Sequence, residues 1–267
     1  MNENNPVPPP IPPSESAQKF ASKIYEPVPP PPLSGPRPLG DDPVERVPIP
    51  HAFAAIEALL RQPRRLLFQL RQPGAGKLIA AMLFTAFVSS LIYGVVAGTF
   101  SGGTQLWAAP VKIAAGLMIS AGICLPSLYI FTCLSGSQAR LIEVAGLLAG
   151  MLLLMTILLI GFAPVIWIFS ESTNYLAWMG TLHLIFWTIG IWFGLRLFSH
   201  MTNLLRVQER AHLKVWMGIF LLVCLQMTTA LRPILGTSDQ WLPKEKKFFL
   251  AHWVENLSSE ARPASER

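Results

Sequence analysis

The stretch from Leu141 to Phe169 constrains the fold of this chain more than any other. It is almost uninterrupted apolar sequence, with one carboxylate near its start, Glu143, and one proline near its end, Pro164. A run of about 18 or more apolar residues, at 1.5 Å per residue, is long enough to cross a hydrocarbon core of about 30 Å. We therefore expect a membrane span here and an integral membrane protein overall.

The composition agrees with membrane insertion. Hydrophobic residues make up 52% of the 267 residues and charged residues 13%, whereas a soluble domain has about 25% charged residues. The net charge of +6 comes from Lys and Arg at the ends of apolar runs. This placement is typical of topology signals and argues against a nucleic-acid partner. The three cysteines lie within apolar runs, so neither a disulfide framework nor a metal site is predicted.

Residues 1–48 form a proline-rich segment, with the runs PVPPPIPP and EPVPPPPLSGPRP. Proline lacks an amide donor and disfavours helix in the residue before it, so we expect a disordered cytoplasmic tail. Such a tail is either a plain spacer or a docking ligand for the aromatic-lined groove of a cytosolic partner.

Residues 49–77 have apolar positions at helical spacing, interrupted by Pro63 and Pro73. They predict two short amphipathic helices, placed either in the headgroup layer through Leu66, Leu67 and Leu70 or against other cytosolic loops. The PGAGK run is not a phosphate-binding loop, because its first glycine and its Ser or Thr are missing. Residues 237–267 predict a C-terminal amphipathic tail.

Residues 78–236 predict an all-α polytopic transmembrane helix bundle of about five spans, at 78–100, 107–134, 141–169, 175–198 and 215–235. Pro126 and Pro164 are expected to break their helices. Small residues four apart allow close helix contact with membrane-protein partners or a second copy. These pairs are Gly94 and Gly98, Gly146 and Gly150, and Gly190 and Gly194.

The basic residues predict the orientation. They precede the first span and flank alternate loops, whereas SGGTQ and SESTN contain no Lys or Arg. The positive-inside rule then places the amino terminus in the cytoplasm and, with five spans, the carboxyl terminus outside, in a membrane that we expect to be the bacterial inner membrane. Because Lys244, Lys246 and Lys247 follow the last span, a four-span arrangement with a re-entrant segment stays open.

Polar residues within spans are candidate functional groups, because burying them in a bilayer is costly. We expect an interfacial ion pair between Glu143 and Arg196, and snorkelling of Lys112 to the headgroups. His183 and Gln226 are at similar depths, which predicts a hydrogen bond or, as the alternative, a proton- or ligand-linked site. The last candidate is Arg232, beside the fifth span.

Several segments together resemble uncharacterised bacterial five-span membrane proteins that are distantly similar to the Yip family of vesicle-traffic membrane proteins. They are LIYGVVAGTF, ICLPSLYIF, GFAPVIWIF and LRPILG, followed by WLP and KKFF. The resemblance covers roughly Leu59 to Leu257. It implies a cytoplasmic amino terminus, five spans and an outer tail, but the eukaryotic activity depends on partners that a sequence does not reveal.

The sequence predicts no catalytic, cofactor-binding or metal site. Its only aspartates are Asp41, Asp42 and Asp239, and it has no HExxH or GxSxG motif. The expected function is that of a non-enzymatic scaffold, adaptor or subunit of a membrane complex, with the lipid bilayer, membrane proteins and a cytosolic protein as partners. The alternative is a small transporter or channel that uses the polar level at His183 and Gln226.

Overall fold

The computed structural model describes residues 38–100, 103, 105–172, 176–204 and 210–230. Of these, residues 105, 176, 177, 210 and 226–230 are described by their backbone alone. The chain divides into two units, Met1–Pro38 and Leu39–Arg267. All the described helices belong to the second unit.

Three short helices precede the long ones. Helix α1 (Pro43–Arg46) is capped by the Asp42 carboxylate, which accepts a hydrogen bond from the Val44 amide at 2.9 Å. Helix α2 (Ala52–Arg61) is capped by His51, whose Nδ1 accepts from the Ala54 amide at 3.1 Å, and helix α3 (Pro63–Arg71) begins with a proline. Proline is well suited to the first position of a helix because the amide that it lacks would have no partner there.

Five long helices follow, and no strand is present among the residues described. They are α4 (Ala75–Thr99), α5 (Gln105–Leu134), α6 (Leu141–Ser172), α7 (Leu176–Leu204) and α8 (Arg210–Ala230). Gly74 caps α4 with a φ of 98°, a left-handed conformation that glycine adopts without strain. The predicted all-α polytopic bundle is confirmed.

Four of these helices are long and apolar enough to cross a membrane: Ala75–Thr99, Leu106–Leu134, Leu141–Ser172 and Trp178–Leu204. They correspond to the first four predicted spans. In the described part of α8, Ala211–Leu225 is a shorter apolar helix. The predicted fifth span stays a prediction, since residues 231–235, including Arg232, and the predicted tail at 237–267 lie outside the described residues.

The long helices pack in a defined order, with α4 along both α6 and α5, α7 against α6, and α8 against α5. Every residue from Gly146 to Thr156 of α6 is buried. A helix that is apolar on all sides and covered on all sides belongs at the centre of a bundle. The apolar stretch from Leu141 to Phe169, from which the membrane span was predicted, is therefore also at the centre of the helix bundle.

The helices are not interrupted at Pro126 and Pro164, where breaks were expected; a local kink or loosening of the helix at Pro126, the form of break expected there, stays a prediction. Helix α5 continues through Pro110 and Pro126, and α6 continues through Pro164. A proline removes one backbone donor, but membrane helices tolerate this where neighbouring helices and Ser or Thr side chains compensate. Pro126 leaves the Gly122 carbonyl, four residues earlier, without its usual helical donor. Two residues further on, the Cys124 carbonyl accepts from Ser127 Oγ at 2.8 Å and from Trp216 Nε1 of α8 at 3.2 Å, so side chains bond to the backbone of this turn.

The predicted end of the tail at residue 48 is also wrong, because the segment from Leu39 belongs to the folded unit. Glu45 is buried and forms an ion pair with Arg64 of α3, and it accepts a hydrogen bond from the Gly40 amide. Gln69 donates to carbonyls of this segment, including that of Val47 at 3.2 Å. Glu45, together with the polar side chains of Arg64 and Gln69 on α3, attaches this segment to the short helices.

Candidate functional site

Glu143, at the start of α6, is the centre of a cluster of charged groups. Its side chain is 6% exposed, and its two carboxylate oxygens contact different guanidinium groups. Arg71 Nε lies 3.4 Å from Oε2, and Arg140 Nε lies 3.1 Å from Oε1. Arg140 also donates to the Arg71 carbonyl at 2.9 Å. One carboxylate thus joins the end of α3 to the turn that precedes α6.

The expected ion pair between Glu143 and Arg196 is wrong. Within the part of the chain described, the ion pairs of Glu143 are those with Arg71 and Arg140. Arg196 is exposed on α7. The short helix α3 packs against α6, and this brings Arg71 closer than any cation on a neighbouring span. The position of a residue along its span, which is all that the sequence provides, does not reveal such a contact.

A second polar contact lies within the bundle, between Tyr93 of α4 and His183 of α7. The Tyr93 hydroxyl oxygen is 2.8 Å from His183 Nδ1. Tyr93 is completely buried and His183 is 7% exposed. The Tyr93 ring also meets the Trp187 ring edge-on, at a centroid distance of 6.4 Å. The hydrogen-bond partner of His183 is therefore a tyrosine on the first span.

The expected hydrogen bond between His183 and Gln226 stays a prediction, because the Gln226 side chain lies outside the described residues. His183 Nε2 is buried and has no hydrogen-bond partner among the described atoms. Whether the Tyr93 hydroxyl donates to Nδ1 or accepts from it depends on the histidine tautomer. In either case one ring nitrogen lacks a partner within the part of the chain that the structure describes, and a buried polar atom that is left unsatisfied costs about 1–3 kcal/mol.

Lys112 does not extend along a lipid-facing surface. Its side chain lies on α5 and is 5% exposed, so it is enclosed by protein. The snorkelling that we expected for Lys112 is therefore not what the structure shows.

The small-residue pairs lie at close contacts between helices. Gly94 of α4 meets the backbone of Pro110 of α5, and Gly98 is buried on the same helix. A Cβ atom at Gly190 would be 3.4 Å from the Met155 carbonyl oxygen, and one at Gly194 would be 3.3 Å from that of Met151. These glycines allow α4 to approach α5, and α7 to approach α6.

Gly146 and Gly150 serve a different contact from the expected one between spans. They receive leucine side chains of the short helices: Leu70 lies against Gly146, and a Cβ atom at Gly150 would be 3.2 Å from Leu59 Cδ1. Leu66 and Leu70 are fully buried. The leucines of α3 therefore face the protein interior, and the placement of the two short helices in the headgroup layer stays a prediction.

Tyr93 was missed as a candidate by the sequence reasoning. It precedes Gly94 in the small-residue stripe of α4, and a tyrosine within an apolar span needs a partner for its hydroxyl. The requirement for a hydroxyl partner is the feature by which the sequence could have identified Tyr93 as a candidate. Trp216 was also missed: its Nε1 lies 3.2 Å from the Cys124 carbonyl oxygen and from Ser127 Oγ, across the contact between α8 and α5.

Among the residues described, no group of three or more His, Cys, Asp or Glu side chains is arranged to hold a metal ion. The chain matches no protein-family model, no curated protein and no solved structure in the three comparisons with known proteins. The four long apolar helices make it a multi-pass membrane protein that contacts the lipid bilayer.

Proposed function

We propose that the protein is a non-enzymatic membrane scaffold or adaptor, or a subunit of a membrane complex. One observation supports this most directly: its buried polar side chains hold helices together. Glu143 joins α6 to Arg71 of α3, and Tyr93 of α4 joins His183 of α7. Polar groups used in this way fix the relative positions of helices, which a scaffold needs in order to present its surfaces to other proteins.

The proposed orientation has the amino terminus in the cytoplasm and, with a fifth span, the carboxyl terminus outside. The charge distribution supports it, because Arg71 and Arg140 meet at the end of the bundle where α6 begins, and basic residues favour the cytoplasmic side. The resemblance to bacterial five-span proteins of Yip-like character suggests the same layout. A bacterial inner membrane is part of this proposal.

In the proposed adaptor, the proline-rich segment recruits a cytosolic partner, and the exposed apolar surfaces of the long helices bind membrane proteins or a second copy. The small-residue faces expected to do so are occupied by contacts within the chain. The direct test is purification in a gentle detergent, comparing the full chain with a chain that lacks residues 1–38. Residue 38 is the correct endpoint because Gly40 and Glu45 belong to the folded unit. A third chain, with residues 1–38 in shuffled order, controls for length and composition.

The adaptor proposal predicts a partner that binds the full chain directly, as purified components, and binds neither the deleted nor the shuffled chain. A partner set that is identical for all three chains would contradict the role assigned to the tail. Complete absence of any stoichiometric partner, in the membrane or in the cytosol, would contradict the scaffold itself.

One observation favours a second candidate, a small transporter or channel: among the described atoms the buried Nε2 of His183 has no hydrogen-bond partner, so it could contact a polar solute. The test is flux into proteoliposomes for the wild type, Tyr93→Phe, and the double variant His183→Leu with Gln226→Leu. Thr188→Val is the matched control on α7, since Thr188 Oγ is exposed and donates to its own helix at Leu184. Flux that these substitutions at 93, 183 and 226 abolish, and that the control retains, would replace the adaptor proposal.

A further inference from the structure

Helix α2 has an outer face that the bundle does not cover. Its inner face is buried through Ala55, Ala58 and Leu59. On the outer face Phe53 is 81% exposed and Leu60 is 54% exposed. Because these two side chains are seven residues apart, they lie side by side on the helix, and a contiguous apolar surface is the kind that marks a protein or membrane interaction site.

The outer face of α2 is divided into two edges. At 100° per residue, Phe53 and Leu60 lie about 20° apart, with the half-buried Ile56 beside Leu60. Glu57 and Arg61 follow on the other side, about 40° and 80° from Phe53. These two are exposed and form an i,i+4 ion pair at 3.8 Å. The face therefore has an apolar edge continuous with the buried side and a separate charged edge.

The depth of α2 follows from its contacts with α6. Helix α6 has 32 residues and is about 48 Å long, which exceeds a hydrocarbon core of about 30 Å by about 18 Å. Centred between its polar ends at Glu143 and Glu171, the core covers roughly residues 147 to 167. Gly150 thus lies just inside the hydrocarbon boundary, and Leu59 of α2 packs against Gly150.

A helix at this boundary, with one apolar and one charged outer edge, has the character of an interfacial helix. We propose that α2 lies in the leaflet at which α6 begins, with the edge formed by Phe53, Ile56 and Leu60 inserted among phospholipid acyl chains and with Glu57 and Arg61 facing water. The lipid-facing surface is thus on α2, because the leucines of α3 are occupied by the protein core.

The test measures the surroundings of each edge in the full chain. The three native cysteines, Cys124, Cys133 and Cys224, are replaced by alanine, and single nitroxide labels are introduced through Phe53→Cys, Leu60→Cys, Glu57→Cys and Arg61→Cys. After reconstitution into phosphatidylcholine and phosphatidylglycerol vesicles, power saturation compares collision with O2, which concentrates in lipid, and with a water-soluble nickel chelate.

The labels at 53 and 60 are expected to collide several-fold more with O2 than with the chelate, and the ratio is expected to reverse at 57 and 61. Equal access of the chelate at all four positions would overturn the proposal, since the whole face would then be in water. Labels at 53 and 60 that are immobile and protected from both reagents would also overturn it, because a protein would then cover the face.

A second measurement avoids the cysteine substitutions. Benzoylphenylalanine is incorporated at position 53 or at position 57 of the chain with its native cysteines, and the reconstituted protein is irradiated. Intact-mass analysis is expected to show phospholipid adducts for position 53, at several times the level found for position 57. Equal adduct levels at the two positions would contradict the proposed division of the face.

Discussion

Nδ1 of His183 lies 2.8 Å from the hydroxyl oxygen of Tyr93, deep between two spans that each pack on α6. Both side chains are buried. In a bilayer the alternatives to such a contact are poor, because hydrocarbon offers no hydrogen-bond partner. The contact therefore fixes how α4 and α7 are placed around the central helix.

Replacing Tyr93 by Phe is expected to destabilise the protein by about 1–3 kcal/mol, since it leaves the buried Nδ1 of His183 without its hydrogen-bond partner. His183→Leu in the same chain should recover part of the loss, because it removes the unsatisfied group. Reversible unfolding in mixed micelles over an SDS titration measures both effects. Thr188→Val, on the exposed face of α7, should leave the unfolding midpoint unchanged; equal effects of Tyr93→Phe and Thr188→Val would contradict the assignment.

The Glu143 cluster leads to a prediction about coupling. Glu143→Gln and Arg140→Gln should be non-additive in the free energy of unfolding, with a coupling of about 0.5–3 kcal/mol, because the two groups are in contact. Arg196→Gln should add to Glu143→Gln without coupling, since Arg196 is exposed and is not a partner of Glu143 in the structure. A double-mutant cycle over the same SDS titration separates these outcomes. Measurable coupling to Arg196 and none to Arg140 would support the ion pair expected from the sequence.

Close packing at Gly94 allows a matched comparison of two glycines. Gly94→Ala should destabilise the bundle by about 1–3 kcal/mol, because the new methyl group meets the Pro110 backbone and forces α4 and α5 apart. Gly161→Ala meets no atom within 4 Å, and alanine favours helix over glycine by about 1 kcal/mol. It should therefore be neutral or stabilising. Thermal aggregation in detergent measures both, and a similar loss at the two positions would rule out the packing argument.

The sequence predicted the elements of this fold better than their contacts. Four spans were visible because a bilayer requires about 20 apolar residues in a row, whatever lies beside them. The contact of Glu143 with Arg71 was not visible, because Arg71 reaches Glu143 only through the packing of α3 on α6. Which side chains meet inside a bundle depends on which helices are neighbours and on how each helix is rotated about its axis. The position of a residue along its span determines neither.

The small glycines show the same limit. Their spacing predicted close contacts, but the leucines that occupy Gly146 and Gly150 come from the short helices α2 and α3. The proline content of residues 39–48 predicted disorder, whereas the structure places these residues in the folded unit. There a single buried carboxylate, Glu45, outweighs the composition because it pairs with Arg64 and accepts from the Gly40 amide.

Two truncations test where the folded unit begins. Deleting residues 1–38 should leave the thermal midpoint in detergent unchanged, since the deletion ends before Gly40. Deleting residues 1–48 should lower the midpoint by several degrees, because it removes Glu45, leaving Arg64 without this carboxylate and Gln69 without its carbonyl partners. Glu45→Gln in the full chain is the matched control and should reproduce part of the loss. Equal midpoints for the two truncated chains would show that residues 39–48 contribute nothing to the stability of the bundle.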